Sequence, residues 1–229
     1  MKNLPYTYIL TVALLGLLFS ACVKAEWDAE PRPELWTSDR YVSSLNMDFT
    51  KESLVDGQQL ALPDGWLNVG AHGTHRAFQT AVIGNYYVGS TSDSMQCAAA
   101  TAYLCMGDAE AWMVTPPVKV AGAADARFYY SLMTGYSGAA TFQLLCYSAK
   151  SADTGRPPLD ASSWTVIADY TNAVNTYKYD FIPLQQNLAT YLNADDDVMY
   201  LAFRYVQNYQ GPGVSSNTWY VDDIRYNSN

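Results

Sequence analysis

Histidine is almost absent from this chain, which has only His72 and His75 in 229 residues. Both fall in the Gly70 to Gly73 neighbourhood, which reads as a loop, and no GxSxG accompanies them, so a hydrolytic triad lacks its base and its nucleophile turn. Glutamate is scarce too. Glu26, Glu30, Glu34, Glu52 and Glu110 never stand at the alternating strand positions that would bring two carboxylates together for glycoside hydrolysis. Charged residues make up only 15%, and the formal charge is −9, which argues against a nucleic-acid partner. The 4 cysteines form no CxxC or Cys/His pattern, so zinc has no ligand set. A sustained helical period is also missing. These absences predict a protein that is not an enzyme.

The first residues are built for export. Lys2 supplies the charged start, Tyr8 to Phe19 an apolar run too short for a comfortable membrane span, and Ser20 and Ala21 small residues before Cys22. This order resembles the lipobox of bacterial lipoproteins, with Phe19 standing where leucine is usual. It implies that residues 1–21 are a signal peptide and that Cys22 is the lipidated first residue of the mature chain. The alternative is an ordinary signal peptide cut at or just after Ala21. Residues 22–37 mix Lys24, Glu26, Asp28, Glu30, Pro31, Pro33 and Glu34 and read as an extended acidic tether. A lysine followed by acidic residues behind the cysteine resembles the signal that sends Bacteroidetes lipoproteins to the outer face of the outer membrane. The expected location is that membrane, facing the cell exterior, with membrane contact through the lipid alone.

Residues 38–229 are expected to form one domain. Aromatic residues reach 14%, including 19 tyrosines, whose flat apolar face and polar tip suit half-buried strands and wet binding surfaces alike. Period-2 alternation dominates. Leu45, Met47 and Phe49 share one face; so do Phe128, Tyr130 and Leu132; Phe142, Leu144 and Cys146; Trp164, Val166, Ala168 and Tyr170; and Met199, Leu201, Phe203 and Tyr205. Turn clusters such as Leu62-Pro63-Asp64-Gly65, Thr154-Gly155-Arg156-Pro157-Pro158 and Gln210-Gly211-Pro212-Gly213 separate them. Many strands, frequent turns and one short helix around Leu184 to Leu192 predict an all-β fold, an antiparallel jelly-roll β-sandwich.

Four segments in order carry a family resemblance. Pro63-Asp64-Gly65-Trp66, Glu110-Ala111-Trp112-Met113-Val114-Thr115-Pro116, Tyr200-Leu201-Ala202-Phe203-Arg204-Tyr205 and Trp219-Tyr220-Val221-Asp222-Asp223-Ile224 are similar to motifs of choice-of-anchor J domains. That jelly-roll group is related to the cleaved adhesin domains of gingipains and more distantly to MAM domains. The resemblance covers roughly Leu45 to Tyr226 and implies architecture and location rather than an activity.

Binding, not catalysis, is the expected role, and the leading ligand is an extracellular glycan. Sugars are held by aromatic faces with amides and charged groups at their hydroxyls, and the turns carrying Tyr86, Tyr87, Tyr136, Asn208 and Tyr209 offer such pairs. A protein partner in adhesion or envelope assembly is the alternative, and a glycoside hydrolase the remote one. The two binding readings differ in the surface they need: a groove with convergent polar groups, or a broad flat apolar patch. A structural calcium ion is a further expectation. First and last strands of jelly rolls commonly lie side by side, so Asp48 would approach Asp222 or Asp223; the related adhesin domains bind calcium. The competing reading is that Asp222 caps turn or strand amides while Asp223 faces solvent or pairs with Arg204, and Asp195-Asp196-Asp197 reads as a solvated turn. With Cys22 lipidated, Cys97 and Cys105 are the nearest candidate disulfide pair, with burial as lone thiols the alternative. Trp112, Trp164 and Trp219 are expected in the core.

Overall fold

A computed structural model describes residues 41–49, 60, 62–70, 78–83, 95–102, 107–136, 138–208 and 217–228. They form two antiparallel six-stranded sheets packed face to face, the jelly-roll β-sandwich that the alternation predicts. In the first sheet the order is β10 (Ile182–Asn187), β7 (Arg127–Thr134), β12 (Trp219–Asn227), β4 (Met95–Ala100) and β3 (Gln79–Ile83), with β1 (Ser44–Met47) also paired to β12. The second runs β2 (Leu67–Gly70), β5 (Ala109–Val114), β11 (Val198–Gln207), β8 (Thr141–Ala149) and β9 (Thr165–Asp169), with β6 (Val118–Lys119) beside β11.

The main core lies between the sheets. Phe128, Tyr130 and Leu132 from β7, Phe142, Leu144 and Cys146 from β8, and Met199, Leu201, Phe203 and Tyr205 from β11 all enter it, as their two-residue period requires. Fully burying each large side chain contributes about 1.5–3 kcal/mol. One hydroxyl pair crosses the core: Tyr130 and Tyr170 hydrogen-bond to each other, and Gln186 Nε2 donates to Tyr130 Oη at 3.1 Å. Burial, the largest influence, pushes Tyr130 up to about 12 and Tyr170 further upward, so both stay neutral donors and acceptors.

Two expectations are corrected. The helix expected around Leu184 to Leu192 is strand β10 followed by a single 3-10 turn at Leu188–Tyr191. Here Ile182, Leu184 and Gln186 are half-buried while Pro183, Gln185 and Asn187 are exposed, a two-residue period; Pro183 is tolerated because β10 is an edge strand. Nor do Trp164, Val166, Ala168 and Tyr170 share a face. Leu144 pairs with Ala168 but Leu145 with Val166, so Ile167 is one extra residue and the parity inverts there. Tyr170 therefore enters the main core, whereas Trp164 packs with Trp112, Leu145 and Tyr200 on the outside of the second sheet.

That outer cluster is roofed by the connection between β8 and β9. Gly155 N–H donates to Tyr200 Oη at 3.1 Å, Tyr200 Oη donates to Gly155 O at 2.8 Å, and Trp164 Nε1 donates to Pro158 O at 2.7 Å. Beside it, Arg204 Nε donates to Glu110 Oε1 at 2.7 Å, Trp112 Nε1 donates to the same oxygen at 2.9 Å, and the Arg204 guanidinium lies 5.4 Å from the Trp112 ring centre. Arg204 Nη1 also reaches Gln143 Oε1 at 3.2 Å, and Gln143 Nε2 reaches Asp169 Oδ2 at 2.9 Å. Arg204 is thus held by Glu110 across β11 and β5, not by Asp223.

Glu110→Ala should remove the acceptor of two hydrogen bonds and leave Arg204 partly buried, lowering stability by about 3 kcal/mol. A denaturant melt checks this, and a midpoint within experimental error of the parent would show that the network is not stabilising.

Candidate functional site

The outer face of the first sheet divides into two halves. Near one end it is closed by a small apolar cluster of Ala81, Cys97, Ala99 and Met133, with Phe181 and Tyr220 packed on it. Toward the other end it opens into a groove of about 430 Å³ lined by residues of β1, β7 and β12.

Strand register builds the floor of this groove. Asn46 of β1 is the cross-strand partner of Arg225 of β12, Arg225 of Tyr129 of β7, and Tyr129 of Gln185 of β10. Directly paired residues point to one face, so these four side chains form a row across four strands. Tyr129, half-buried, lines the groove with exposed Asn46 and Arg225; Gln185 is exposed and continues the row on the same face beyond the groove's lining. Ser44 and Asn227, paired with each other one step along, extend the polar floor.

A β-bulge aims Arg225. Asp222 pairs with Ser131 and Arg225 with Tyr129, so β12 spends three residues where β7 spends two. Asp223 is the extra one, in the left-handed region at φ 53°; aspartate is among the few side chains that accept this conformation. Its Oδ2 takes a hydrogen bond from Arg225 Nη2 at 2.8 Å. Without the bulge, Arg225 would face the core and Ile224 the groove.

The bulge also sits where β12 changes partner, from Ala98–Ala100 of β4 to residues 44–47 of β1. Asp222 lies at this changeover and is only 7% exposed. Burial above all, then the charges of Asp48 and Asp223, push its carboxyl up to about 6, while the Asp223 N–H, donating to Oδ1 at 2.7 Å, pulls the other way. Asp48 follows the last residue of β1, Met47, which pairs with Ile224, and so stands at the same junction of first and last strands. Among the described residues no three acidic, histidine or cysteine side chains converge as a metal-holding group.

Other expected residues are placed as follows. Tyr136, 53% exposed, follows β7, and exposed Asn208 follows β11. Because β8 begins at Thr141 opposite Val206, both leave the same end of the sandwich. Tyr86, Tyr87 and Tyr209 lie outside the described residues, as do Cys22 and Cys105. Cys97 and Cys146 are buried thiols, Cys97 Sγ donating to Ala81 O at 3.8 Å. The Asp195 to Asp197 turn is bonded rather than merely solvated: Asp197 pairs with Lys119 and accepts the Ser151 N–H at 2.6 Å, and Asp196 Oδ2 accepts from Ser148 Oγ at 2.6 Å. Among the described residues the large exposed apolar side chains, Tyr41, Tyr136, Val166 and Tyr179, come from four separate segments.

Sequence reasoning missed Tyr129, Arg225, Asn46 and Gln185. Outward parity within Phe128-Tyr129-Tyr130 singles out Tyr129, but the register that aligns it with Arg225 is not written in any one segment.

No family model matches the chain, and no curated protein matches it. Solved structures do. The K3 cleaved adhesin domain of Lys-gingipain from Porphyromonas gingivalis is similar at 14% identity and TM-score 0.48, covering 81% of this chain and 98% of that one. The K2 cleaved adhesin domain of Lys-gingipain matches at 16% identity and TM-score 0.44, over 82% of this chain and 99% of that one. The carbohydrate-binding module TmCBM61, solved in complex with β-1,4-galactotriose, matches at 7% identity and TM-score 0.39, over 70% and 86%.

Proposed function

We propose that this chain is a non-catalytic, lipid-anchored surface protein that binds extracellular glycan through the outer-face groove. The observation that carries the reading is the row itself: a tyrosine aligned by register with an arginine and two amides on one sheet face. Sugar recognition needs an apolar face for the ring and fixed donors and acceptors for its hydroxyls. The tyrosine pair in the core is kept protonated by burial and offers no accessible acid or base. Lipidation at Cys22, suggested by the small residues that precede it, would display the domain at the outer membrane. The motifs similar to choice-of-anchor J domains favour that setting. Calcium belongs to the same proposal: Asp48 and Asp222, with backbone carbonyls at the β4-to-β1 changeover, would hold one ion that ties first strand to last.

Three measurements follow. On a polysaccharide array the protein should mark at least one glycan, and Tyr129→Ala should abolish the signal while keeping a cooperative melt at a somewhat lower midpoint; silence across host and plant glycans would turn the assignment to protein assembly. Cys22→Ser should release the chain from membranes, and unaltered membrane partition would reject lipidation. Excess calcium should raise the melting temperature, by the equivalent of about 2.7 kcal/mol at a hundredfold excess over Kd. Asp222→Asn should cancel that shift, and superimposable melts with calcium and with chelator would remove the ion.

A further inference from the structure

We infer that the groove takes an internal stretch of an uncharged, linear, extended polysaccharide laid across the strands, about three to four consecutive sugars long. This rests on the glycan reading and narrows it to a ligand class, a length and a binding mode.

Length comes from the register. Gln185, Tyr129, Arg225 and Asn46 stand on four successive strands. Neighbouring strands lie ~4.8 Å apart, close to the advance of one pyranose along an extended chain. Each row residue can therefore meet a successive sugar, with Tyr129 under one ring and the amides and arginine at flanking hydroxyls. A helical or branched glycan would leave the line of the row.

Binding mode comes from the ends. The row starts on β10, an edge strand, and finishes on β1, which pairs with β12 on one side and along Ser44–Met47 has no further strand of this sheet among the described residues. Among the described residues neither end is walled by a strand, so a chain can run through rather than stop.

Charge decides the ligand class. Arg225 is already matched by Asp223 at 2.8 Å, and Arg127, the other arginine on this face, by Asp125 at 3.3 Å. With both cations compensated and a formal charge of −9 on the whole chain, a uronate, sulfate or nucleic-acid polyanion finds no uncompensated positive field here. The arginine contributes directed donors instead of net charge.

The test is calorimetric titration of the full chain with β-1,4-linked gluco-, xylo- and manno-oligosaccharides of one to six sugars, with heparin and polygalacturonate as charged probes. In at least one neutral series affinity should rise about tenfold or more from two sugars to four and then level off. Borohydride reduction of the hexasaccharide end should change it less than about twofold. Gln185→Ala and Asn46→Ala, both at exposed positions, should each weaken the tetrasaccharide about threefold or more and the disaccharide much less. Full affinity already at one or two sugars, loss of binding on end reduction, or preference for the charged probes with Tyr129 still required would overturn this inference and leave glycan binding standing. Failure of every neutral and charged probe, here and on the array, would remove both.

Discussion

Phe142 is the point at which the two sheets become one body. Its ring lies flat against Trp219 of the opposite sheet, 4.8 Å between centres and 6° from parallel, and against Phe203 of its own sheet at 6.2 Å and 19°. Around this stack Tyr170 and Tyr177 meet Trp219, and Tyr130 meets Phe203 edge-on. The packing demands that β8, β11 and β12 keep their parity, and the position of every outward residue follows from that demand. The groove is in this sense a by-product of the core: Tyr129 faces out because Phe128 and Tyr130 must face in.

The outer faces then differ by what covers them. The second sheet spends its exterior on stability, with Trp112, Trp164 and Tyr200 beneath the β8 to β9 connection and the Glu110, Arg204, Gln143 and Asp169 chain of hydrogen bonds beside them. The first sheet is closed by Phe181 and Tyr220 over only half its length. Among the described residues no such cluster covers the half where β12 has left β4 for β1, and the bulge at that changeover turns an arginine outward.

Much of the architecture was legible in the residues. Alternation in β7, β8 and β11 identified the inward side chains, because a buried sheet face leaves a two-residue period wherever the strand is regular. It misled at Ile167, where one extra residue inverts the faces, and at Leu184 to Leu192, where half-buried edge-strand residues imitate an amphipathic turn. The segments resembling choice-of-anchor J motifs turn out to be physically coupled: Glu110 and Trp112 from one hold Arg204 from another. The pairing of β1 with β12 followed from expecting first and last strands to be neighbours. The groove was not legible. Its four row residues lie on four strands between positions 46 and 225, and only the register, fixed by the whole core, aligns them. Asp223 hid for a similar reason, since a left-handed residue in a strand leaves no periodic trace.

The strand order has a consequence for how the chain reaches its final form. β11 is central to one sheet and β12 to the other, and both are made last; β1, β4 and β7 all take β12 as their partner, while β5, β6 and β8 take β11. Pairs such as β3 with β4 and β8 with β9 can form early, but until residues 198–227 are made β1 lacks its partner and the separate pairs cannot be joined into two sheets, a closure over most of the described chain. Assembly of such a polypeptide is therefore a two-stage affair, with local ribbons first and the bridging of those ribbons by two late strands second.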